Sequence, residues 1–293
     1  MAENSSSPSK NQILSQVKDL CVKGKFSQSR QLICQAAGIK DVDPMGISRS
    51  QIRSLTANKQ INQMLDIEQA FVSLAQTFRD GEPQSYRAEN AVAELKKVLP
   101  LLNRTEKAFA FYWISNCLDY AQPANPDEQF EALRQTIMLT KNGSNETILY
   151  TCANKISGLD IGSKDKYQTI KSASLKTSKT SPYIPHYQEL LDRYARHYFD
   201  EVSRRANHPS VSYPDRNAAF ETAVELVNDF NMPALQRCAY KIGLLNSLEN
   251  LQRQHGDTEN LNKTSARKQN FIFRSAQLRR RATGYRVYND NYR

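Results

Sequence analysis

Apolar residues recur three and four positions apart along most of the chain, the spacing that puts them on one face of an α-helix. From Gln12 to Gly38 the pattern predicts two short amphipathic helices. Ile13, Val17, Leu20 and Cys21 share a face before Lys23-Gly24-Lys25, and Ser29, Leu32, Ile33, Ala36 and Ala37 share one after it. Gly24 supplies the positive φ that ends the first helix, and Phe26 can pack back across the turn. Ser48-Arg49-Ser50-Gln51 reads as a capping box. Helices are expected from there through Leu55 and from Ile61 to Arg79, stopping at Asp80-Gly81-Glu82-Pro83. Ala88 to Leu102 follows, with Pro100 perturbing its last turn. Thr105 to Tyr120 is the most apolar helix: Phe109, Phe111, Tyr112, Trp113, Ile114 and Leu118 surround most of its axis, which predicts cover on two sides.

The next start signal is the clearest in the chain, with Asn125 as cap, Pro126 at the first helical position and Asp127 and Glu128 in the first turn. That helix should end near Thr140, and Glu146 to Ile156 should form another. Residues 163–181 are rich in Lys, Ser and Thr and offer only Tyr167, Ile170 and Leu175 as a weak face, so they read as a polar basic linker or insertion. Helices are expected again from His186 to Arg205, Asp215 to Phe230 and Pro233 to about Gln254, with His255-Gly256-Asp257 closing the folded part. The resulting division is a disordered leader at 1–10, a helical-hairpin region at 11–162, the linker at 163–181, a second helical region at 182–256 and a tail at 257–293.

Composition agrees with an all-α reading, because 10 Gly and 11 Pro in 293 residues are few for a chain built from tight β-turns. A hydrophobic content of 39% with a mean hydropathy of −0.65 means apolar stripes on well-solvated helices. No run approaches the roughly 18 apolar residues of a membrane span. The polar, serine-rich start argues against a secretory signal, so the five Asn-x-Ser/Thr sequons carry no weight. Cys21, Cys34, Cys117, Cys152 and Cys238 are odd in number, lack any Cys-x-x-Cys pair and sit among apolar residues. They are expected to be buried hydrophobes in an intracellular reducing compartment, cytoplasmic or nuclear.

Lys23-Gly24-Lys25-Phe26-Ser27-Gln28-Ser29-Arg30-Gln31-Leu32 resembles the turn and second helix of a tetratricopeptide repeat, with Gly, aromatic, small residue and Leu in order. Phe111 to Leu118 followed by Asp127 to Leu133 is similar to another such unit whose turn is lengthened by Gln122 to Pro126, and Asp215 to Leu226 matches in the second helix only. The resemblance implies an α-solenoid whose concave groove holds a peptide or helix, without catalysis. The expected fold is therefore all-α, an irregular stack of helical hairpins, repeat-like or bundled, with a basic C-terminal arm. Phe109, Tyr112, Trp113 and Asn116 are the candidate lining of a groove for a protein or peptide partner.

Charge singles out the arm. Residues 263–293 hold nine Lys or Arg against Asp290, +8 of the chain's formal +10. Arg267, Lys268, Arg274, Arg279, Arg280, Arg281 and Arg286 alternate with Phe271, Phe273, Tyr285 and Tyr288. This mixture suits an anionic partner: single-stranded nucleic acid, with rings for stacking and cations for phosphates, or an acidic protein or lipid surface. An alternative is a terminal helix whose Phe271, Arg274 and Leu278 cover the preceding pair. In the nucleic-acid reading, Lys164, Lys166, Lys171, Lys176 and Lys179 act with the arm. Arg280-Arg281-Ala282-Thr283 resembles a basophilic kinase site, making Thr283 a candidate phosphosite. Elsewhere His186, Glu189, Arg193, His197 and Asp200 line one helix face, but the two histidines are about 16 Å apart along the axis, too far to share a metal. That stripe reads as a solvated face with Glu189 and Arg193 paired. No phosphate loop, nucleophile elbow or zinc motif occurs, so no catalytic residue, cofactor or metal is expected.

Overall fold

The computed structural model describes residues 9–39, 43–79, 81 and 83–290, with side chains up to residue 282. Every regular element among them is helical. Thirteen α-helices fall into two units, residues 1–160 and 161–293. None of these helices is long and apolar enough to cross a membrane. The leader assigned to 1–10 lies outside the described residues apart from Ser9 and Lys10.

The first unit contains α1 (Lys10–Val22), α2 (Phe26–Ala36), α3 (Arg49–Leu55), α4 (Lys59–Thr77), α5 (Ser85–Val98), α6 (Arg104–Leu118), α7 (Pro126–Leu139) and α8 (Glu146–Gly158). Its boundaries follow local chemistry. Gly24 ends α1 with φ of 70°, and Ser48 and Gln51 form the reciprocal capping box that starts α3. Asn125 accepts from the Glu128 amide, with Pro126 at the first helical position. Pro100 tightens the end of α5 into the short 3₁₀ turn Leu99–Leu101. The core centres on α4, whose Ile61, Met64, Leu65, Ile67, Ala70 and Phe71 are buried against α1, α2 and α5. Successive hairpins begin at Lys10, Lys59 and Arg104, 49 and 45 residues apart. A tetratricopeptide repeat takes about 34, so the resemblance is confined to individual turns.

An ion network is buried in this core. The Arg30 guanidinium forks onto Glu68, with Nε to Oε1 at 2.9 Å and a terminal nitrogen to Oε2 at 2.6 Å, and also donates to the Ile47 carbonyl at 2.9 Å. Arg49 Nε donates to the same carboxylate at 3.0 Å. With Glu68 1% and Arg30 5% exposed, the pairing compensates charges that would otherwise be very costly to desolvate.

The second unit contains α9 (Ser163–Lys176), α10 (Ile184–Asn207), α11 (Tyr213–Leu226), α12 (Ala234–Gln254) and α13 (Thr258–Asp290). Two expectations are corrected here. The supposed linker is mostly helix: Tyr167, Thr169, Ile170 and Ala173 are buried, and α9 packs on α10. Tyr167 Oη donates to the Asp229 carboxylate, which also takes Lys171 Nζ at 2.6 Å. The folded part also continues past His255-Gly256-Asp257. Gly256, at φ 69°, turns the chain, and α13 folds back along α12.

Candidate functional site

Helix α13 is built in two parts that obey different rules. Asp257 starts it, accepting the Asn260 amide at 3.2 Å on Oδ1 while Oδ2 takes the Tyr213 hydroxyl. These hydrogen bonds hold the Asp257 carboxyl below its ordinary pKa. Leu261, Thr264, Lys268, Phe271, Ser275 and Leu278 follow at alternating spacings of three and four, all buried or half-buried. They form the stripe that faces α12. Phe271 lies under Lys241 Nζ, 4.8 Å from the ring centroid. Burial lowers the pKa of that ammonium, and it donates to Asn228 Oδ1 at 2.5 Å.

Arg267 and Lys268 of the arm pair with carboxylates on other helices. Arg267 pairs with Glu221 and Glu225 of α11. Lys268 pairs with Glu249 of α12, whose carboxylate also accepts from Ser265 Oγ at 2.7 Å. Burial opposes ionisation of Glu249, but the Lys268 and Ser265 hydrogen bonds outweigh it and hold the carboxyl below its ordinary pKa. Among the candidate residues of the arm, then, Arg267, Lys268 and Phe271 fasten α13 to the unit.

Beyond Lys268 the outward side chains are different. Arg274, Arg279, Arg280 and Arg281 are exposed, and so are Ile272 at 40% and Phe273 at 66%. No acid occurs between Glu259 and Asp290. At 33 residues α13 is about 50 Å long and α12, at 21, about 31 Å. About a dozen residues of α13 therefore extend past the start of α12. Arg279 to Arg281 sit where that extension begins. Tyr285, Arg286, Tyr288 and Thr283 lie on its helical backbone, and their side chains fall outside the described residues.

The groove candidates share one face of α6, but that face is largely occupied. Trp113 packs against Phe78, Phe109 and Tyr112 with centroids 5.3, 6.0 and 5.7 Å apart, and Phe109 stacks on Phe71 at 6.4 Å. Asn116 Oδ1 takes Lys155 Nζ at 2.5 Å. Of the four, Phe109 borders an open cleft of about 460 Å³, with Asp19 of α1, Asn103, Glu106, Thr136 and Thr140 among the other lining residues. The polar side chains of α1 and α7 that help form the cleft carry no sequence signal, because they come together only through packing.

The remaining chemistry-bearing groups have structural roles. All five cysteines are buried and unpaired with one another. Burial pushes the thiols of Cys21, Cys117 and Cys152 up to about 12, far from a nucleophilic thiolate. His186, Glu189, Arg193, His197 and Asp200 are exposed, with Arg193 3.2 Å from Glu189. Among the described residues, no group of three or more potential ligands is arranged to hold a metal. Of the lysines assigned to the linker, Lys171 is paired with Asp229 and Lys166 lies over the Tyr194 ring at 5.2 Å, whereas Lys164 and Lys179 are exposed.

No family model, curated protein or solved structure matches this chain.

Proposed function

We propose that the chain is a non-enzymatic helical adaptor of a reducing compartment, whose first unit receives a protein or peptide and whose second unit engages an anionic partner through α13. The observation that carries this reading is the division within α13. Its first half spends cations on Glu221, Glu225 and Glu249. Its continuation holds Arg274, Arg279, Arg280 and Arg281 exposed, in a stretch without a single acid. Clustered like charge on an outward surface costs self-repulsion and attracts an oppositely charged surface. For the first unit the support is the Phe109 cleft, whose mixed apolar and hydrogen-bonding walls suit a peptide segment.

Removing the whole arm would be a poor test, because it would strip α13 from α12. The triple variant Arg279→Gln, Arg280→Gln, Arg281→Gln leaves the packing stripe intact. The full chain is expected to bind immobilised heparin with an affinity that falls steeply with salt. The variant should lose about two to three from the log-affinity against log-salt slope. An unchanged slope would overturn the assignment of the anion surface.

A further inference from the structure

We propose that Asn142, in the turn between α7 and α8, is a site of self-modification, where the side-chain amide becomes a carboxylate through a cyclic imide closed by the Gly143 nitrogen. Gly follows Asn only here in the chain. Both residues are exposed. The turn is closed by its outer residues, Ser144 donating its amide at 3.2 Å and its hydroxyl at 2.8 Å to the Lys141 carbonyl. Gly143 stands between them with φ of 67°, at the position where a type II turn calls for glycine. The two reacting groups are left over. Among the described residues, neither the Gly143 amide nor the Asn142 side chain makes a hydrogen bond. A Cβ placed on Gly143 would meet nothing within 4 Å, so there is room for a ring to form.

The nucleophile and the carbonyl it attacks belong to adjacent residues, and an intramolecular closure of this kind has a large advantage over any encounter in solution. The Gly143 nitrogen gives up its proton to hydroxide and forms a bond to Asn142 Cγ. The Cγ–Nδ2 bond breaks, and that nitrogen takes a proton from water and leaves as ammonia. Water then opens the imide at either carbonyl, giving an aspartyl or an isoaspartyl linkage. In sum one water enters and one ammonia leaves, and no oxidant, reductant or second protein is consumed. Glycine serves the turn through its backbone freedom and the chemistry through its lack of a crowding side chain. Asn145 lacks the second advantage, because Glu146 follows it at the start of α8. The turn leads directly into Asn145 and Ile148, which line the Phe109 cleft. Both products add a negative charge to the approach to that wall, and the isoaspartyl product also adds a methylene to the main chain.

The test is incubation of the full chain at acid, neutral and mildly alkaline pH, followed by peptide mapping that separates aspartyl from isoaspartyl products. Asn142→Gln and a synthetic peptide spanning residues 139–146 are treated alongside, and the thermal midpoint verifies that the variant is folded. Product is expected at position 142 ahead of every other asparagine, at a rate of the same order as in the peptide. The rate should rise about tenfold per pH unit while the amide is mostly protonated. Asn142→Gln, whose longer side chain cannot close a five-membered imide, should abolish it. If position 142 reacts more than about a hundredfold more slowly than the peptide, the turn must open first and the inference is overturned. Product without an isoaspartyl fraction overturns it as well, because direct hydrolysis of the side chain would then replace the imide.

Discussion

The two units handle charge in opposite ways. Residues 1–160 carry 18 Lys and Arg against 17 acids, and residues 161–293 carry 22 against 13. In the near-neutral unit, the principal ionic feature is sealed in the core, where Glu68 takes both Arg30 and Arg49. In the basic unit, α13 pairs Arg267 and Lys268 with carboxylates of α11 and α12, and Arg274 and Arg281 are exposed. The first unit therefore seals its principal ion pairs in the core, whereas the second carries exposed cations along α13. That contrast can be broken or sharpened experimentally.

The largest expected effect is in the first unit. Glu68→Ala removes the one carboxylate that satisfies Arg30 and should cost about 3–5 kcal/mol in urea unfolding. A loss below about 1 kcal/mol would show that water or relaxation replaces the pair and that the core network is dispensable. Next comes Ile170→Ala in α9, at a position with no exposed surface. It should destabilise the second unit by about 2–5 kcal/mol, whereas a linker residue would change nothing. Smaller effects follow acidification. The folded pKa of Glu249 is depressed, so its contribution is present above the ordinary glutamate range and is lost as pH falls through the folded value. The docking of α13, followed by amide exchange of its first half, should weaken as pH falls below the ordinary glutamate range and through the depressed folded value. The same exchange in Glu249→Gln should have a flatter acid limb. Arg267→Ala should cost less than about 1 kcal/mol, since the pairs it makes with Glu221 and Glu225 are more than a third exposed.

How much of this was legible in the sequence depended on how local the determining signal was. The starts of α3 and α7 and the turns at Gly24 and Gly256 are each set by a few adjacent residues, and all could be read directly. Helix α9 could not be read as packed, because its buried positions include Ser163 and Thr169, small polar residues with no hydrophobic signature. The stripe of α13 was legible only in part: Phe271 and Leu278 stand out, but Thr264, Lys268 and Ser275 look like surface residues until α12 is placed beside them. The division of the arm's cations was hidden for a similar reason. Arg267 and Lys268 find their carboxylates 46, 42 and 19 residues earlier in the chain, and nothing in their own neighbourhood points to those partners. The aromatic run of α6 was visible as a cluster, but only the structure shows Phe78, at the end of α4, packing on Trp113.

The central claim is that the exposed arginines of α13 contribute to association and not to folding. The most direct test measures thermal stability and salt-dependent anion binding side by side for the Arg279→Gln, Arg280→Gln, Arg281→Gln variant. The account predicts a stability change within about 0.5 kcal/mol, as for ordinary surface substitutions, together with a large loss of salt-sensitive binding. A variant that binds anions as the parent does but unfolds several degrees earlier would contradict it and would make these arginines part of the fold.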